Sequence, residues 1–86
     1  MEKFNGFENW LKAKGYVSWR SYISFMRQIE STLLVKDFER ITSVPLLKRL
    51  MVDLESNRAF QARGESDKGN ILSGFKAYIQ YIDETK

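Results

Sequence analysis

Residues 18–34 read SWRSYISFMRQIESTLL, and this stretch decides the fold. Trp19, Tyr22, Ile23, Met26, Ile29 and Leu33 recur at spacings of three and four, which gathers them on one stripe of a long α-helix. A stripe this bulky has to be covered by the rest of the chain. Ser18 stands directly before it, where a hydroxyl can accept a hydrogen bond from a free N–H of the first turn, so it is the expected N-cap. The opposite face carries Arg20, Ser24, Arg27 and Ser31, cationic and hydroxylic with no anion. One helix thus offers a core face and a candidate contact face.

Three further helices are expected around it. Over residues 4–14, Phe4, Phe7, Trp10 and Leu11 share a face, and acids come early and lysines late, an order that suits the helix dipole. Gly15 then supplies the left-handed conformation that commonly ends a helix. Residues 35–43 form a connector, with Val35, Phe38 and Ile41 as its apolar points. Ser43 and Pro45 open a third helix over 44–56, whose inward stripe is Leu47, Leu50, Met51 and Leu54. Residues 57–68, NRAFQARGESDK, lack a clear apolar period, so the greatest mobility is expected there, with Phe60 as an anchor.

A fourth helix over 67–82, capped by Ser66 or Asp67, carries Ile71, Leu72, Phe75, Tyr78, Ile79 and Ile82. Gly74 lies inside it, and an interior glycine costs about 1 kcal/mol relative to alanine. A close approach by another backbone or a ligand is the expected reason. Fraying is expected from Asp83 onward. No strand-like alternation competes, so the chain reads as one all-α domain, a compact four-helix bundle in which the second helix is the longest and touches the others.

Composition narrows the function. The 86 residues are 43% hydrophobic and 29% charged, as in a folded chain rather than a disordered one. With no Cys and no His there is no disulfide framework, no thiolate metal site, and neither the usual general base nor the most reactive nucleophile. Neither a metal nor a cofactor is expected. The paired acids Asp37 and Glu39, Asp53 and Glu55, and Asp83 and Glu84 sit in polar surroundings that would not raise a pKa for acid work, so no enzyme is expected. No apolar run reaches bilayer length and the N-terminus has no signal-peptide core, which makes the cytoplasm the expected compartment and a membrane an unexpected partner.

Charge distribution says more than the net charge of +3. Between Glu8 and Glu30 lies an acid-free window holding Lys12, Lys14, Arg20 and Arg27; a second, over residues 68–82, holds Lys68 and Lys76. If the second and fourth helices present these faces side by side, they make a basic, hydroxyl-lined surface suited to phosphates and base edges. Solvated lysines and arginines on a small helical domain are the plainer reading of the same residues. Phe25 and Tyr81, at the stripe edges, are expected either to close the core rim or to form a patch for a protein partner.

The run F-x-x-W-L-K-x-K-G at residues 7–15, followed by SWRSYISFMRQI at 18–29 and SGFKAYIQYI at 73–82, resembles the N-terminal core-binding, SAM-like domain of phage integrases and other tyrosine recombinases. The segment 47–82 is also similar to small helical domains attached to restriction-type nucleases. The resemblance implies a duplex-DNA-binding module whose second and fourth helices lie near the major groove. By position it assigns Ser18, Arg20, Ser21, Ser24 and Arg27 to DNA from the second helix, and Lys68, Asn70, Ser73 and Lys76 from the fourth. DNA recombination would then need a separate catalytic domain as partner. The alternative is a protein-interaction or structural module that keeps the helices without touching DNA.

Overall fold

The computed structural model describes residues 4–85, and within them the chain is all-α. The elements in order are α1 (Asn5–Ala13), α2 (Trp19–Leu33), a 3-10 turn (Phe38–Arg40), α3 (Val44–Glu55), a one-turn α4 (Arg58–Gln61) and α5 (Glu65–Thr85). Four long helices make the bundle, as the periodicity predicts. No helix among the described residues is long and apolar enough to cross a membrane.

Helix α2 packs on α1, α3 and α5, so its expected central place holds. Its length rank does not: α5, with 21 residues, is longer than α2, with 15. Helix α5 starts earlier and runs later than residues 67–82. Helix runs on to Thr85 through the segment where fraying is expected, and Glu84 there accepts from Trp10 Nε1 at 3.2 Å and pairs with Lys14 at 3.0 Å.

Met26 and Ile29 of the α2 stripe are fully buried, while Trp19, Tyr22, Ile23 and Leu33 pack against the same core from its rim. Glu30 is buried on this stripe as well. Its carboxylate accepts the Phe38 N–H at 3.0 Å, which fixes the 3-10 turn and drives Phe38 into the core. Tyr78 stands at the centre, its ring edge-on to Phe4, Phe7 and Phe38 with centroids 5.7, 5.0 and 5.8 Å away. Such edge-to-face pairs suit the ring quadrupoles.

Local signals held unevenly. Gly15 takes φ +85°, the left-handed stop expected of it. Ser43 caps α3 through Oγ, which accepts the Leu46 N–H at 3.4 Å. Ser18 departs from its expected role: it precedes α2, but its side chain makes no capping bond, and its carbonyl accepts from Ser21 and Tyr22 instead. Residues 57–61 also differ from the expected loop, because the Asn57 side chain accepts the Phe60 N–H at 3.1 Å and starts a turn of helix that buries Phe60.

Candidate nucleic-acid interface

Helices α2 and α5 cross at Gly74 and Phe25. A Cβ placed on Gly74 would stand 3.0 Å from Phe25 Cβ and 3.1 Å from its Cδ2, so glycine is what admits the ring. Further along, Arg63 Nη1 donates to Gln28 Oε1 at 2.9 Å and to Asp67 Oδ2 at 2.8 Å. Residue numbers rise on α2 as they fall on α5, which makes the pair antiparallel.

This crossing fixes where the predicted contact residues stand. At roughly 100° per residue, Arg20 and Arg27 lie about 140–160° around α2 from Phe25, with exposed Ser24 on the same outer face. Lys76 lies about 160° around α5 from Gly74 by the same periodicity, and is also exposed. The cationic faces of the two helices therefore point away from their common seam and do not lie side by side. What borders the seam is uncharged: Ser18 and Ser21 on the Phe25 side of α2 and Asn70 on the Gly74 side of α5, while Ser73, about 100° from Gly74, stands as far round α5 as Ser24 does round α2, all of them exposed.

Carboxylates from outside the acid-free windows reach half of their cations. Lys12 pairs with Glu8 at 2.8 Å, Lys14 with Glu84 at 3.0 Å, and Lys68 with Glu65 at 3.0 Å. Lys68 is moreover half-buried beside a depression bordered by Glu55 and Phe60, on the α3 side of α5. Among the described residues Arg20, Arg27 and Lys76 have no ion pair.

A further cationic feature lies where α1 meets α2, although Lys12 there is also paired with Glu8. Lys12 Nζ sits 4.3 Å from the Trp19 ring centroid and Arg20 Cζ 5.2 Å from it, so one indole holds two cations near the start of the Arg20–Arg27 row. At the other end of the row stand Leu34, 88% exposed, and exposed Lys36. Neither was singled out by charge windows, yet Leu34 continues the seven-residue spacing of Arg20 and Arg27.

Among the described residues, two groups have a pKa displaced from the ordinary value. The side-chain bond from Gln80, then those from Lys14 and Trp10, hold the Glu84 carboxyl below its usual range. Burial pushes the Tyr78 phenol well above its ordinary value, with Tyr81, Glu39 and Glu30 adding to the effect. No cluster of three or more acidic residues able to hold a metal ion occurs among the described residues. No protein-family model, curated protein or solved structure matches this chain.

Proposed function

We propose that this chain is a non-catalytic duplex-DNA-binding module that holds phosphates on the outer face of α2, with the polar residues of α5 as a lesser contact. The observation that carries the reading is the Arg20–Ser24–Arg27 face: exposed, acid-free, and with both guanidinium groups lacking a carboxylate partner among the described residues. At 1.5 Å per residue the two arginines are about 10 Å apart along the helix, so each can meet a different phosphate. The resemblance to the integrase core-binding domain supports the same helix. Catalysis is not part of the reading; among the described residues the carboxyl with a shifted pKa, Glu84, is lowered, the wrong direction for a general acid. Recombination or cleavage would fall to a separate catalytic domain.

The test is a titration of a short fluorescent duplex with the whole chain at two salt concentrations. Affinity should fall by about 0.9 log unit per phosphate contact for each tenfold rise in salt. The double variant R20E/R27E should lose binding while keeping its helical circular dichroism; unchanged binding overturns the assigned face. A protein-interaction module is the second reading, favoured by Val17 and Val52, which are 96% and 59% exposed. It predicts no response to duplex at either salt.

A further inference from the structure

Leu34 is costly twice over. Helix α2 ends in a Schellman motif: the Val35 N–H bonds the Glu30 carbonyl at 3.1 Å, and Leu34 occupies the left-handed position with φ 56° and ψ 38°. That position is ordinarily glycine, because a Cβ there crowds the backbone. Leu34 also leaves 88% of its surface in water, so its side chain gives the fold almost nothing in return.

Its place explains what it can do. Arg20, Arg27 and Leu34 follow one another at intervals of seven, which keeps them close to one line along the outer face of α2. Leu34 borders an open depression of about 370 Å³ together with Arg27, Ser31 and Lys36. The acid at this depression, Glu30, is buried and turned to the Phe38 N–H. An apolar tip thus shares its depression with two cations, Arg27 and Lys36, and although exposed Asp37 follows Lys36, the lining itself suits a polyanion better than an acyl chain or a neutral protein face.

We infer that Leu34 is an apolar wedge, inserted at a base step of a duplex whose phosphates are held by the neighbouring Arg27 and Lys36. This rests on the DNA-binding reading and adds to it: the module deforms the duplex as well as gripping it. Leucine is among the apolar side chains that proteins insert between base steps to unstack and kink a duplex.

The test uses a duplex of about 20 base pairs with a fluorophore at each end, reporting bend by energy transfer and affinity by anisotropy. Wild-type protein should bring the ends closer. L34G and L34N, both at home in the left-handed region, should melt no lower than wild type, lose the change in energy transfer, and bind about tenfold more weakly. Variants that bend and bind as wild type does overturn the wedge while leaving DNA binding intact, and so does a wild-type protein that binds without bending. A wild-type chain that ignores duplex overturns both. If that chain instead runs as a dimer that L34N dissociates, the leucine belongs to a protein contact and the wedge falls.

Discussion

Gly74 of α5 lies so close to Phe25 of α2 that a Cβ on the glycine would stand 3.0 Å from the Cβ of the phenylalanine. That Cβ is fixed to the α2 backbone, so relief requires the helices to move apart. G74A should therefore destabilise the protein by about 1 kcal/mol or more, with the clash outweighing alanine's helix preference. G69A, in the same helix with no atom within 4 Å of the new methyl, should stabilise by up to about 1 kcal/mol. Urea denaturation of the two variants checks both signs.

The stripes were legible because a helix repeats every 3.6 residues, and burial of Phe7, Leu11, Met26, Ile29, Leu47, Leu54 and Phe75 follows that period. What escaped depends on contacts between distant residues. Glu30 looks like surface charge until Phe38 folds back to offer it an N–H. The acid-free windows are real along the chain, but Lys14 meets Glu84 from 70 positions away, which no local count shows. Likewise, whether Arg27 and Lys76 share a surface depends on the side by which α2 meets α5, and only the Phe25–Gly74 crossing settles that. The helical turn at 58–61 had a readable signal in Asn57, an N-cap residue directly before it.

Glu30 yields a prediction of its own. E30A leaves the buried Phe38 N–H without its acceptor and should cost about 1–3 kcal/mol. E30Q retains a carbonyl oxygen at the same reach and should recover part of that loss. If E30A melts like wild type, the carboxylate does not hold the 3-10 turn.

Two pH limbs follow from the shifted groups. The Glu84 carboxyl is lowered by Gln80, Lys14 and Trp10, so its contribution is complete above the unfolded carboxylate value and is lost as pH falls through the folded one. E84Q should flatten the acid side of the stability profile. Tyr78 is raised by burial, so the folded state keeps its proton where the unfolded chain, with an ordinary phenol near 10.0, has released it. Stability should therefore decline above that pH, and Y78F should remove this component. Denaturation midpoints measured from acid to alkaline pH test both limbs.

The cations of the two windows should not count equally toward DNA. Arg20 and Arg27 meet no carboxylate among the described residues, whereas Lys68 is half-buried and pairs with Glu65. A cation already neutralised releases few counterions from DNA, because reaching a phosphate means breaking its own ion pair first. Each of R20A and R27A should reduce the slope of log affinity against log salt by about 0.9. K68A should leave the slope unchanged, although Lys68 belongs to an acid-free window as much as Arg20 does. Binding isotherms at four salt concentrations decide it: equal slope losses for all three variants would mean that the ion pair to Glu65 opens on binding and that the sequence windows, rather than the packed pairs, describe the interface.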